Sequence, residues 1–172
     1  AALLGCAALT GVGAVLFAAR VRAGSTVLVV GAGGVGQFVV QGARIAEAAS
    51  IVAVDPLEAR REQALALGAT HAFSPEEVES RLSELAPNGA DYGFDAVGDP
   101  ETVELALRLT RSGGSTVIVG LPAAGARLDL DPAQFNRREK WLTGTMYGSE
   151  DPAIALPVLL EHVRSGALEL AG

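Results

Sequence analysis

At 172 residues and 17.5 kDa the chain has room for one well-packed domain and is short for two. With 49% hydrophobic and 19% charged residues the composition is globular. The net charge of −7 disfavours a nucleic-acid partner, since the densest basic group, Arg137, Arg138 and Lys140, is interrupted by Glu139. The single cysteine, Cys6, excludes an internal disulfide and fits a reducing compartment, so a cytoplasmic location is the expectation.

Residues 1 to 19 carry no charge, which raises a transmembrane span or a signal peptide. No basic residue precedes the apolar run, however, and Gly5, Gly11, Gly13 and many alanines keep it only mildly apolar. The reading is a packed helix of a larger soluble protein with no membrane partner, entered by Leu3 to Thr10 and ending near Ala19. The chain opens on Ala1, inside this apolar segment and without a cap, which reads as a fragment. Arg20 to Ser25 then turn the chain.

Thr26 to Val30 is a β-favouring run that enters the turn Gly31-Ala32-Gly33-Gly34-Val35-Gly36, and an apolar segment from Val35 to Ala48 follows. This predicts a buried strand, a tight turn and a helix. Gly31, Gly33 and Gly36 fit G-x-G-x-x-G. The first glycine permits the turn, the second lets a pyrophosphate approach the backbone, and the third packs helix on strand. The helix N-terminus then faces the phosphates with its N–H groups and positive dipole end. Alone this spacing is weak evidence, because glycines also mark ordinary turns. A second strand, Ile51 to Val54, ends in Asp55, which lies 19 positions after Gly36, close to the ~20 expected of the acid that binds ribose hydroxyls. Asp55 followed by Pro56 also suits a turn, but strand, turn, helix, strand and acid in order favour dinucleotide binding.

Leu57 to Leu67 reads as a helix stopped by Gly68, and His71 to Phe73 as a short third strand. Ser74 reads as an N-cap, with Pro75 first in a helix that runs to about Leu85. Tyr92 to Val97 is strand four, closed by Gly98. Asp99-Pro100-Glu101 opens a helix through Leu109, Ser112-Gly113-Gly114 turns, and Ser115 to Val119 is strand five. Ala123 to Leu130 is loop, with room for a short strand. Leu142 to Tyr147 is strand six and Pro152 to Ser165 the last helix. Strands and helices alternate, and the strands are apolar on both faces. The fold class is therefore α/β, a Rossmann doubly wound six-stranded parallel sheet with default order 3-2-1-4-5-6. A cofactor is expected across the C-terminal ends of strands one and four.

These residues, with Leu4-Gly5-Cys6, Thr10-Gly11, Leu67-Gly68-Ala69-Thr70, Asp91-Tyr92-Gly93-Phe94-Asp95, Val117-Ile118-Val119-Gly120 and Thr143-Gly144-Thr145, resemble the coenzyme-binding domain of zinc-dependent alcohol dehydrogenases of the medium-chain dehydrogenase/reductase family. The resemblance covers nearly the whole chain. It implies that 1–24 is a connecting segment and helix from the catalytic-domain side, that 25–172 is an NAD-binding Rossmann domain, and that the catalytic domain is absent. By the same comparison Cys6 matches a ligand of the catalytic zinc. The other protein ligands would lie in the missing domain, so zinc is not expected to be bound in this fragment. Thr10 and Val35 match residues around the nicotinamide ring. Val119, Thr145 and Tyr147 match backbone positions that hold its carboxamide, and Leu121 matches an apolar wall. Pro56 and Val97 match the adenine walls, while Arg60 sits where a lysine is common near the adenosine ribose. Gly31, Gly33, Gly34 and Gly36 match the pyrophosphate turn. Asp55 matches the ribose acid and implies NAD rather than NADP, because a carboxylate repels a 2′-phosphate. Asp99 departs from the basic residue of some members.

The resemblance implies oxidation of an alcohol to an aldehyde or ketone by hydride transfer to NAD, with zinc as Lewis acid on the substrate oxygen. It also implies a homodimer through the edge strand Leu142 to Tyr147. Two alternatives stand beside it. A non-catalytic NAD(H) sensor would have no use for Cys6. A zinc-free, NADPH-dependent quinone or enoyl reductase would be at odds with Asp55.

Overall fold

The computed structural model describes residues 4–170; Leu3 and the ends of the two expected segments, 1–3 and 171–172, lie outside that range. A first helix, α1 (Leu9–Gly13), is continued in both directions by wider, π-wound turns, Leu4–Ala8 and Ala14–Ala18. Then follow β1 (Thr26–Val30), α2 (Gly34–Ile45), β2 (Ser50–Val54), α3 (Glu58–Ala66), β3 (His71–Phe73), α4 (Val78–Leu85), β4 (Ala90–Asp95), α5 (Pro100–Leu109), β5 (Thr110–Ile118), α6 (Ala133–Asn136), β6 (Trp141–Gly144) and α7 (Pro152–Arg164). The six strands form one sheet in the order β3-β2-β1-β4-β5-β6, every pair parallel. This is the Rossmann-like order expected from the sequence.

Period-two alternation explains why both faces are apolar. Val27 and Val29 join Ile51, Ala53, Phe94 and Val117 on one face, under Val39, Val40 and Ala43 of α2. Leu28 and Val30 join Val52 and Val54 on the other, under Val78 and Leu82 of α4 and Ala106 and Leu109 of α5. A third cluster ties α1 (Leu9, Val12) and α2 (Phe38) to α7 (Ala155, Leu159). Full burial of a side chain such as Leu28 contributes about 1.5–3 kcal/mol. At the N-terminal end of the sheet Asp91 accepts the Thr26 N–H at 2.8 Å and Arg111 Nε at 2.6 Å. Partial burial would raise its pKa, but these two donors and the Arg111 charge outweigh it and hold the carboxyl below its ordinary value.

Several boundaries differ from the sequence reading, each for a local reason. α2 stops at Ile45, not Ala48, because Glu47 turns left-handed at φ 57 and its carbonyl accepts the Gly24 N–H at 2.8 Å. α4 starts at Val78, not Pro75. Ser74 to Glu77 first form a turn in which the Ser74 N–H donates to Glu77 Oε2 at 3.2 Å, half of a capping box. β4 ends at Asp95, not Val97, because the Asp95 carboxylate folds back onto the next N–H groups. Ser112 to Gly114 do turn, as a bulge between the pairs Ala90–Thr110 and Tyr92–Ser115. Ala123 to Leu130 contains no strand, and α6 was not foreseen. β6 closes at Gly144, and Tyr147–Ser149 form a tight 3₁₀ turn. α7 begins as expected, with Pro152 in its first turn and Asp151 Oδ1 accepting the Ala153 N–H at 2.8 Å.

β1 lies between β2 and β4, so chain leaves the sheet in opposite directions on its two sides. The connection after β1 leads to α2 on one face and that after β4 leads to α5 on the other, so a crevice opens at the carboxyl ends of these strands. Among the described residues no helix is long and apolar enough to cross a membrane.

Candidate functional site

Gly31 follows the last residue of β1 with φ +91, a conformation that glycine adopts without strain. A Cβ there would also meet Val97 Cγ2 at 2.5 Å, so the loops after β1 and β4 touch. A Cβ on Gly36 would run into the Gly31 carbonyl, which explains how α2 seats so closely on β1. Gly33 is different. Its backbone is extended, φ −75 and ψ −166, which any residue can adopt, and a Cβ there would have only Arg60 Nη1 nearby, at 4.0 Å. A Cβ on Gly34 would meet nothing within 4 Å. The fold requires glycine at 31 and 36, whereas at 33 and 34 it leaves a shallow open cradle at the N-terminus of α2.

Asp55 forms one wall of this cradle. It is 2% exposed, its Oδ2 accepts the Ala32 N–H at 3.0 Å, and its Oδ1 accepts the Leu57 N–H at 2.9 Å. Arg60 Nη1 stands 3.5 Å from Oδ2. Arg61 turns away, donating to the carbonyls of Asp55 and Pro56 at 2.8 and 3.0 Å. Each carboxylate oxygen keeps an acceptor position beyond the bond it makes. Gln37 braces the turn from below, donating to the Ala32 and Arg60 carbonyls at 2.8 and 3.0 Å.

On the other side of the crevice Asp95 holds the loop after β4. It accepts from Thr102 Oγ1 at 2.7 Å, Gly98 N–H at 2.9 Å and Val97 N–H at 3.3 Å. Complete burial pushes its pKa up; the hydroxyl and the two N–H groups work against that, and Asp99 adds to it. The Asp95 carbonyl accepts the Val119 and Gly120 N–H groups at 2.8 and 3.0 Å, which ties in the loop after β5. Thr145, just past β6, donates its N–H to Ile118 O at 3.0 Å.

The structure thus gathers Gly31, Gly33, Gly34, Val35, Gly36, Asp55, Pro56, Arg60, Val97, Val119, Leu121, Thr145 and Tyr147 along the carboxyl ends of β1, β2, β4, β5 and β6. Apolar side chains stand exposed along this rim after four different strands: Leu57, Val97, Leu121 (75% exposed) and Tyr147. Half-buried Thr10 lies on α1 beside Gly11, where a Cβ would meet the Val35 carbonyl at 2.6 Å. Cys6 is exposed on the first turn of that helix. Among the described residues no three His, Cys, Asp or Glu side chains are grouped to hold a metal. One thiol does not make a tetrahedral site, so the residues present do not fit zinc by themselves. A concavity of about 580 Å³ lies away from this crevice, between α5 and α6, and mixes Glu104, Asp129 and Asp131 with Arg108, Arg137 and Arg138.

Sequence reasoning missed Asp95 and Gln37 as supports of the site. Asp95 carried a usable signal, an acid at a strand end with glycine three positions on, the pattern of a side chain that bonds its own following backbone. Gln37 carried none, since its partners, the carbonyls of Ala32 and Arg60, belong to a turn and a separate helix.

Residues 34–161 match the family described as zinc-binding dehydrogenase. An S-(hydroxymethyl)glutathione dehydrogenase of Synechocystis sp. is 37% identical over 98% of this chain and 47% of its own length. An NDMA-dependent alcohol dehydrogenase of Amycolatopsis methanolica is 38% identical over 99% of this chain and 47% of its own. The chain spans about half the length of the curated relatives it matches. Among solved structures, benzyl alcohol dehydrogenase from Acinetobacter calcoaceticus superposes with a TM-score of 0.91 and 30% identity, over 95% of this chain and 46% of that one. A putative zinc-binding dehydrogenase from Sinorhizobium meliloti, bound to NADP, superposes with a TM-score of 0.84 and 28% identity, over 98% and 48%. On this evidence the chain belongs to the zinc-binding dehydrogenase family.

Proposed function

We propose that this chain is the coenzyme-binding part of an alcohol dehydrogenase that oxidises an alcohol to an aldehyde or ketone, and that it binds NAD in preference to NADP. The observation that carries the reading is the cradle at Gly33 and Gly34 beside the buried Asp55 carboxylate. Glycine there serves no need of the fold, and its open face is bounded by the helix N-terminus that suits a pyrophosphate. Bound NAD supplies the hydride acceptor. The chain supplies the rest: Gly31 to Gly36 for the pyrophosphate, Asp55 for the ribose hydroxyls, Arg60 beside that ribose, and Pro56 and Val97 for the adenine. Thr10, Val35, Val119, Leu121, Thr145 and Tyr147 form the nicotinamide end. Arg60 at 3.5 Å softens the repulsion that Asp55 would exert on a 2′-phosphate without reversing it.

Cys6 is assigned to a catalytic zinc whose remaining ligands come from outside this chain, and residues 1–24 form the link to that part. The exposed edge at β6, where Trp141 is 71% and Met146 62% exposed, supports a symmetric dimer through Leu142 to Tyr147. Reduced surroundings such as the cytoplasm suit the exposed thiol. The reading is tested by calorimetric titration of the chain with NADH and, separately, with ADP-ribose. Saturable binding of both, at one site per chain, is expected. Failure to bind either would remove the reading.

A further inference from the structure

The turn after β6 is backbone-strained and clamped. Tyr147, Gly148 and Ser149 are left-handed in succession, with φ of 51, 80 and 59, and two of the three are not glycine. Such a run persists only where its surroundings hold it. Here the holding contact is backbone to backbone. A Cβ on Gly13 of α1 would lie 2.8 Å from Gly148 Cα. A Cβ on Gly148 would lie 2.6 Å from Gly13 Cα and 2.9 Å from the Leu9 carbonyl. The turn is closed on its other side by the Thr145 and Ser149 hydroxyls, 2.8 Å apart, and by the Ser149 N–H donating to Met146 O at 3.0 Å. α1 is equally close to α2, since a Cβ on Gly11 would meet Phe38 Cβ and the Val35 carbonyl, each at 2.6 Å.

We propose that Gly13 and Gly148 are positioning residues: their backbone contact fixes the segment from Thr145 to Tyr147 against α1 and so sets the affinity for the nicotinamide half of the dinucleotide, but not for the adenosine half. The proposal rests on the dinucleotide reading above. The adenosine half is held by the loops after β1, β2 and β4, whereas Gly148 packs against Gly13 and Leu9 of α1. The nicotinamide half is held by backbone at Thr145 and Tyr147, which lie just before Gly148 in the chain. A methyl group between Gly13 and Gly148 has nowhere to go but to push the turn off α1, since both neighbours are backbone. The same helix carries Thr10 and Cys6, so the clamp also holds these two residues and the turn in one rigid body.

The test compares NADH with ADP-ribose, which lacks the nicotinamide, by calorimetry on the chain. Gly13→Ala is expected to weaken NADH by about tenfold or more while ADP-ribose stays within about twofold. Gly24→Ala serves as the control for backbone strain alone, because Gly24 has φ +79 with nothing within 4 Å of a Cβ; both ligands should keep their wild-type affinities. Ser149→Ala, which opens the hydroxyl contact without adding bulk, should show a smaller loss confined to NADH, and it keeps the proposal testable if Gly13→Ala does not fold. Equal losses for both ligands in Gly13→Ala or Ser149→Ala, or no loss in either variant, would overturn the proposal. Wild-type chain that binds neither ligand would overturn the dinucleotide reading instead.

Discussion

Asp55 Oδ2 accepts the backbone N–H of Ala32 at 3.0 Å, so the acid that ends β2 is bonded directly into the glycine turn that follows β1. The bond joins the two elements that the adenosine ribose and the pyrophosphate would share. It fixes the carboxylate before any ligand arrives, so little side-chain freedom is left to lose on binding. It also gives Asp55 a structural role: removing the carboxylate leaves a buried N–H without its acceptor, at a cost of about 1–3 kcal/mol.

The two kinds of glycine in the turn should separate cleanly. Gly33→Val adds bulk to the open face in an extended backbone and is expected to change stability by less than about 0.5 kcal/mol, while weakening NADH about tenfold or more. Gly36→Ala should do the opposite first, destabilising the chain by about 1–3 kcal/mol or more because its methyl meets the Gly31 carbonyl. Urea denaturation and calorimetry on the two variants check both halves. A Gly33→Val chain that binds NADH as wild type does would show that the cradle is not used.

Asp95 gives a pH dependence of defined sign. Its folded-state pKa stands above the ordinary value of 3.8, mainly through burial. The folded chain therefore holds the proton more readily than the unfolded chain across that window. The Asp95 contribution is fullest below 3.8 and is lost as pH climbs through the raised value. In urea denaturation from acid toward neutral pH, the stability of wild type relative to Asp95→Asn should fall as pH rises. A difference that grows with pH would contradict the assignment.

Most of the sheet was legible because β1, β2 and β4 are buried on both faces, and burial leaves an apolar run that little else explains. The order followed from the alternation of strand and helix and from the glycine turn. The boundaries that shifted are set by local bonds and backbone turns, such as Asp95 ending β4 two residues early and Glu47 ending α2. The short helix Ala133–Asn136 has no buried face of its own to write a period into the sequence. Lys140 is a similar case. It reads as a charged border to an edge strand, yet it is 5% exposed, with Nζ donating to the carbonyls of Leu107 and Arg108 at 2.6 and 3.3 Å, where it caps α5. In the site, Gly31 and Asp55 were readable from spacing. The Gly13–Gly148 contact was not, because it joins positions far apart in the chain and depends on how two backbones cross.

The exposed β6 edge, with Trp141 at its start, is expected to pair two chains. Light scattering at micromolar concentration should report about twice the 17.5 kDa of one chain. Trp141→Glu, which puts a charge on the exposed edge, should shift the chain toward monomer. A wild-type monomer, or a dimer indifferent to Trp141→Glu, would remove this interface.

Metal content follows from the isolation of Cys6. Elemental analysis of the purified chain should find zinc well below one equivalent, because one exposed thiol offers too few donors. Stoichiometric zinc that disappears in Cys6→Ser would mean that the chain completes a site by some other route.

The central claim is an NAD site built on Asp55, and competition between the two nicotinamide dinucleotides tests it most directly. Calorimetric titration of the chain with NAD and with NADP should show the tighter binding for NAD, and Asp55→Ala should reduce that preference by about tenfold as the charge facing a 2′-phosphate is removed. Equal or tighter binding of NADP by the unaltered chain would contradict the account.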